Sequence, residues 1–240
     1  MCGIHAVTIY IFSIENFKRP KSQVKSLMEL LKLYFCSISE RGGLLDRYGV
    51  TMRVLGRLEL LEPDLLSTIQ RTTDLTRDYG DKILNVCVSY TSRDEITGAI
   101  RQTIADCKIP VGTDKSRNDL LRDSSIKTSH LFCSAPSLYD SLDEHTVNVG
   151  QPMIIYPQNI TSEMLADHIF TAHDPPLDLL IRTSGAHRLS DYLLWQCHQE
   201  THILFVETLW PDFKLWQFYS AIRKWQRGKQ RLNKENRKVR

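Results

Sequence analysis

No run of eighteen apolar residues occurs anywhere in the 240-residue chain, which excludes a helix of membrane-spanning length. The six cysteines (Cys2, Cys36, Cys87, Cys107, Cys133 and Cys197) form no Cys-x-x-Cys pair. That argues against a disulfide framework or a zinc site and for reduced thiols in a cytosol-facing protein. Charge of one sign is scarce too: 31 basic against 28 acidic residues leave +3. So mild an excess is no signature of nucleic-acid binding, but it suits an anionic small molecule if the basic groups converge locally. The opening stretch MCGIHAVTIYIFSIEN has neither a basic leading segment nor a cleavage signal, so it reads as a core strand and not a signal peptide. There is no internal repeat.

What the chain does have is an ordinary globular composition, 42% hydrophobic and 25% charged, at a length that suits one α/β domain or two small ones. Strand-like and helix-like segments alternate. Residues 5–13 are β-branched and aromatic, as in a buried strand. Pro20 then opens a helix carrying Val24, Leu27, Met28, Leu31 and Phe35 at helical spacing. Residues 49–55 predict a strand, and Pro63 opens a second helix that Gly80 closes. Residues 83–90 predict a third strand, followed at Ser92-Arg-Asp-Glu95 by a capping-box pattern that starts a helix running to about Cys107. Residues 177–181 and 202–206 read as further strands, Ser190 as the cap of a helix through Leu193, Leu194 and Trp195, and LWPDF as the lead into a final helix. Such alternation predicts parallel βαβ units, with ligands at the carboxyl ends of strands. Residues from about 108 to 160, rich in Ser, Asp, Thr and Pro, break the rhythm as a loop-rich insertion.

Two strand ends gather chemistry. In FSIENFKRP, polar groups follow the strand, and Asn16 and Arg19 are spaced to share one face of the next turn. In IRTSGAHRLSDYLLWQ, Arg182 leaves a strand, Thr183-Ser184-Gly185 makes a turn, and Arg188 and Ser190 follow. Guanidinium forks match phosphate oxygens, so this turn is a candidate diphosphate seat. A structural salt-bridge cluster is the other reading of the same pattern.

FSIENFKRP, NVCVSYTSRDEI, LLIRTSGAHRLSDYLLWQ and LWPDF, in this order and with these gaps, resemble the cis-prenyltransferases (the undecaprenyl diphosphate synthase-like family), closest to the eukaryotic branch that makes dehydrodolichyl diphosphate. The resemblance implies an α/β fold with a central, mostly parallel sheet flanked by helices, and a single domain over residues 1–240. It implies a transferase that adds isopentenyl diphosphate to an allylic diphosphate, farnesyl diphosphate, to build long-chain polyprenyl diphosphate for dolichol and glycosylation pathways. By the same resemblance Arg182, Arg188 and Ser190 bind isopentenyl diphosphate, while Ser13, Asn16 and Arg19 line the condensation site. Apolar residues of the helix after Pro20, of residues 52–55 and of residues 86–88 either wall a product tunnel or are plain core. Mg2+ is the implied cofactor, and the cytosolic face of the endoplasmic reticulum membrane, with peripheral contact, the implied location.

The sequence departs from that family at its start. No Asp-Gly-Asn occurs, so the family's first strand and its DGN-R phosphate loop, which carries the magnesium aspartate, are missing. The expectation is an N-terminally incomplete domain, inactive as written, arising from a gene model begun at an internal methionine or from a truncated paralogue. A non-catalytic partner or regulatory paralogue of the same fold is the alternative function. The C-terminus lacks the Arg-x-Gly ending of self-sufficient homodimers, so the resemblance points to a hetero-oligomer whose accessory subunit supplies it, with a homodimer as the other option. His198 and His202 have the spacing of a metal pair but no third ligand at a recognised distance, and the basic tail reads as a solvated helix end.

Overall fold

A computed structural model describes residues 3–40, 42–107, 160–198 and 200–238. The insertion expected at about 108–160 therefore lies almost wholly outside the described residues. The chain divides into two compact units, Met1–Tyr90 with Asp94–His173, and Thr91–Arg93 with Asp174–Arg240.

In the first unit three parallel strands, β1 (Ala6–Tyr10), β2 (Val50–Leu55) and β3 (Lys82–Cys87), lie in the order β1–β3–β2. Ala6 is in register with Ile83 and Tyr10 with Cys87 on one side of β3, and Val50 with Lys82 and Leu55 with Cys87 on the other. The central strand of a parallel sheet is commonly covered on both faces and largely apolar. Val86 and Cys87 of β3, and Val88 just past its end, are fully buried, as is the polar Asn85 between Leu84 and Val86.

Helix α1 (Lys21–Ser39) begins after Pro20 and buries Met28, Leu31 and Phe35, one stripe at helical spacing. A short α2 (Leu44–Tyr48) ends on Gly49, whose φ of 58° is the left-handed stop that glycine adopts without strain. Helix α3 (Pro63–Thr76) has proline in its first turn, where the missing N–H costs nothing, and buries Leu65, Ile69, Thr72 and Thr76. Helix α1 packs on α3, and α3 on β2. Phe12, Met28, Leu31, Phe35, Met52, Leu65, Ile69, Val86 and Val88 thus form one contiguous core, so the residues offered above as tunnel walls or core are packed together here. Gly56, just past β2, sits at φ 131°, and a Cβ there would stand 2.1 Å from the Val88 carbonyl oxygen, so only glycine admits this backbone approach.

Helix α4 (Ser92–Cys107) follows β3, and α5 is the short Ser162–Ala166. Both ends of the expected capping box have long-range partners. The buried Glu95 carboxylate accepts from the Tyr90 hydroxyl at 2.5 Å and from the Phe170 N–H at 3.0 Å, joining the end of β3 to the segment after α5. The partners of Ser92 are in the second unit.

The second unit holds β4 (Leu179–Arg182) and β5 (His202–Phe205), parallel, with Leu179 opposite His202 and Arg182 opposite Phe205. The long α6 (Leu215–Lys238) buries Ala221 and half-buries Phe218, Ile222 and Trp225 on one face. Lys229 ties this helix to Asp178 at 2.6 Å. The expected α/β architecture of parallel strands and flanking helices is present. Its described strands, however, form a three-stranded and a two-stranded sheet where one sheet was expected, because β4 takes its hydrogen-bonding partner from β5.

Candidate functional site

In the first unit, β1 is prolonged beyond Tyr10. The N–H groups of Ile11 and Phe12 still donate to the Cys87 carbonyl, and Ser13 forms an isolated parallel bridge with Tyr90. Phe12 is buried edge-on against Phe17, with ring centroids 5.0 Å apart, which pins the chain as it turns. The polar residues that follow make a tight 3₁₀ turn, Ile14–Lys18, closed by a reciprocal cap. The Ser13 Oγ accepts from the Glu15 N–H at 3.2 Å, and the Asn16 Oδ1 accepts from the Ser13 N–H at 2.8 Å. The Arg19 N–H donates to the Asn16 carbonyl at 3.1 Å. Ser13 and Asn16 are thus joined directly, and Arg19 follows as the C-cap of the same turn. The Arg19 side chain is exposed and lines a shallow cleft with Ser22, Gln23, Ser26 and Leu27 of α1. The cap occupies one oxygen each of Ser13 and Asn16, leaving the serine proton and the asparagine NH2 to a ligand.

In the second unit, Arg182 closes β4, half-buried, with its carbonyl accepting from the Val206 N–H at 2.7 Å. Ser184 and Gly185 then turn the chain at φ 79° and 64°, and their N–H groups donate to the Thr208 and Val206 carbonyls. The His187 ring stacks on Phe205 at 4.8 Å. Arg188 is exposed, and its Nε donates to the Ser190 Oγ at 3.3 Å. Arg182, Arg188 and Ser190 thus share one loop. Among the described residues neither guanidinium is in an ion pair with a carboxylate. A structural salt-bridge cluster would require such partners; the turn N–H groups are spent on backbone carbonyls, so the donors left over in this loop are those of the two guanidinium groups and the Ser190 hydroxyl.

The helix expected from Ser190 is replaced by turns over residues 190–198. Ser190, Asp191 and Leu193 have φ values of 50°, 59° and 47°, and left-handed residues cannot continue a right-handed helix, so Ser190 is no N-cap. The cause is distant in sequence: the Ser92 N–H donates to the Asp191 carbonyl at 2.8 Å, and the Leu194 N–H donates to the Ser92 Oγ at 2.9 Å. The Arg93 N–H and Nε donate to the two Asp191 carboxylate oxygens at 3.0 and 2.7 Å. The sequence reading missed these residues, because Ser-Arg-Asp-Glu carries an ordinary helix-start pattern.

Mg2+ takes hard oxygen ligands, and among the described residues no group of three or more His, Cys, Asp or Glu side chains is placed to hold a metal. His168 pairs with Asp106 at 3.2 Å, and the His198 ring nitrogen contacts the Trp195 carbonyl.

A family model described as "putative undecaprenyl diphosphate synthase" matches residues 1–233. A dehydrodolichyl diphosphate synthase complex subunit of Schizosaccharomyces pombe is 33% identical over 224 residues, covering 93% of this chain and 69% of that protein. The human dehydrodolichyl diphosphate synthase complex subunit is 34% identical over 232 residues, or 97% of this chain, which spans only 56% of its length. In fold, the chain is similar to lavandulyl diphosphate synthase from Lavandula x intermedia, solved with dimethylallyl diphosphate, at a TM-score of 0.65 and 22% identity over 93% of this chain and 76% of that one. The chain belongs to the undecaprenyl diphosphate synthase family of prenyltransferases.

Proposed function

We infer that this chain is one domain, residues 1–240, of the catalytic component of a cis-prenyltransferase, which condenses isopentenyl diphosphate onto farnesyl diphosphate once the DGN-R segment lacking from this sequence is supplied. The product is a long-chain polyprenyl, or dehydrodolichyl, diphosphate for dolichol and glycosylation, made at the cytosolic face of the endoplasmic reticulum. The observation that carries this reading is the loop after β4, where Arg182 and Arg188 have no carboxylate partner among the described residues while Arg188 and Ser190 are already joined.

In this reading Arg182 and Arg188 offer forked donors to the diphosphate of isopentenyl diphosphate, and Ser190 adds a hydroxyl. Departure of an allylic diphosphate concentrates negative charge on the leaving group, which Arg19 and the Asn16 amide stabilise, the asparagine being held already by the capped turn. The Ser13 hydroxyl relays the proton that the condensation releases to the departing diphosphate, passing on its own proton as it takes one up.

The chain also assembles with a second protein, an accessory subunit contributing an Arg-x-Gly C-terminus. Both eukaryotic relatives named above are complex subunits. In the second unit Leu209, Trp210, Leu215, Trp216 and Tyr219 are exposed, more apolar surface than a free protein gains from presenting. No helix among the described residues is long and apolar enough to cross a membrane.

The test is incorporation of labelled isopentenyl diphosphate into long-chain product by this chain with a DGN-R segment restored, together with the accessory subunit, farnesyl diphosphate and Mg2+. Arg182→Ala is expected to raise the KM for isopentenyl diphosphate by about tenfold or more. An unchanged KM removes Arg182 from the site, and binding of isopentenyl diphosphate without turnover identifies the non-catalytic paralogue.

A further inference from the structure

The turn that presents Arg188 and Ser190 does not keep its shape unaided. Ser190, Asp191 and Leu193 are all left-handed, a conformation that L-residues other than glycine avoid because Cβ crowds the following carbonyl. Such backbone persists only where its surroundings over-determine it. Here the surroundings are Ser92 and Arg93, two residues that come almost a hundred positions earlier and belong to the same unit. Ser92, fully buried, gives its N–H to the Asp191 carbonyl and its hydroxyl oxygen to the Leu194 N–H. Arg93 gives its N–H to one oxygen of the Asp191 carboxylate and its Nε to the other. The buried Leu193 side chain anchors the far end.

We propose that Asp191 is a positioning residue for isopentenyl diphosphate, holding the left-handed turn through Ser92 and Arg93 so that Ser190 meets Arg188 before the diphosphate arrives. The proposal rests on the reading of this loop as the diphosphate seat. A carboxylate beside an anion site would ordinarily weaken it. Arg93 offsets that charge at 2.7 Å, so the positive field of Arg182 and Arg188 survives, and Asp191 contributes geometry alone. Preorganisation of this kind removes the ordering cost that binding would otherwise meet.

Calorimetric titration of the full chain with isopentenyl diphosphate tests both levels. Wild type binds, Arg182→Ala loses binding, and Asp191→Ala weakens it by about tenfold, as loss of charge-assisted hydrogen bonds predicts, with an unchanged thermal midpoint. Asp191→Asn keeps an oxygen for the Arg93 N–H and recovers part of the loss. In an Arg188→Ala background the same Asp191→Ala change costs much less, because the group it positions is gone. A role confined to general stability would produce equal losses in both backgrounds and overturns the proposal. Full-strength binding by Asp191→Ala, beside loss in Arg182→Ala, also overturns it and leaves the diphosphate seat standing. No binding by folded wild type, or no effect of Arg182→Ala, ends both. Should Asp191→Ala fail to fold, Asp191→Asn and Arg93→Ala decide by the same criteria.

Discussion

At the scale of single residues, identity matters most where backbone or burial leaves no alternative. Gly56 combines a positive φ with a carbonyl oxygen 2.1 Å from any Cβ, and that oxygen belongs to backbone and cannot rotate away. Gly56→Ala is therefore expected to destabilise by roughly 3 kcal/mol or more, read as a lower urea midpoint with little change in slope. A loss under 1 kcal/mol, well below that estimate, would mean the β2 and β3 ends part easily. Cys87 makes a second case. Burial, and after it the Glu95 carboxylate, push its thiol far above the ordinary value of 9.0. The folded state thus holds the proton more tightly than the unfolded one. This contribution to stability is complete below pH 9 and declines as pH rises beyond it, so wild type should lose stability above pH 9 more steeply than Cys87→Ala. At neutral pH, native-state alkylation followed by peptide mapping should label the exposed Cys36 and spare Cys87. Such assignments were only half legible in the sequence. Cys87 lies in an apolar run and announces its burial, whereas nothing local to Gly56 reveals the approach of Val88.

At the scale of elements, periodicity carried most of the information. The stripe Met28, Leu31, Phe35 and the stripe Leu65, Ile69 are visible as helical spacing, and both face the core they help to build. Phe35, with no exposed surface, is the test: Phe35→Ala should cost about 3–5 kcal/mol through lost transfer energy and the cavity left behind. Equilibrium denaturation measures it, and a loss near 1 kcal/mol would show that the α1–α3 contact collapses to fill the gap. The segment from Ser190 defeats the same method for a physical reason. Leu193, Leu194 and Trp195 read as a helix face, but backbone conformation there follows from Ser92 and Arg93, and no window of neighbouring residues contains that information. The strand-end turns behave oppositely. Ser13 and Asn16 cap each other through bonds between residues three apart or fewer, so that turn is the kind of structure a short window of sequence contains.

For the molecule as a whole, the sequence order of motifs identified the family, while exposure decides how the chain can assemble. LWPDF and the start of α6 read as ordinary connecting and helical sequence. In the folded unit they leave Trp210 at 67% and Trp216 at 66% exposure, beside Leu209, Leu215 and Tyr219. Helix α6 buries Ala221 and half-buries Phe218 and Ile222, and Trp216 stands on the side of the helix away from them, so the two tryptophans are surplus to the unit's own core. Large aromatics are the residues from which interfaces draw most of their energy, because they desolvate a wide area at little cost in side-chain entropy. Replacing Trp210 and Trp216 together by Ser should therefore leave the thermal midpoint of the isolated chain unchanged while weakening its association with the accessory subunit by at least about thirtyfold, a loss of roughly 2 kcal/mol. Sedimentation velocity across a concentration series distinguishes the occupants. Association restored only by the accessory subunit identifies a hetero-oligomer, and association of the chain with itself identifies a homodimer. A double variant that assembles as tightly as wild type would show that the partner docks elsewhere and that these tryptophans serve another contact.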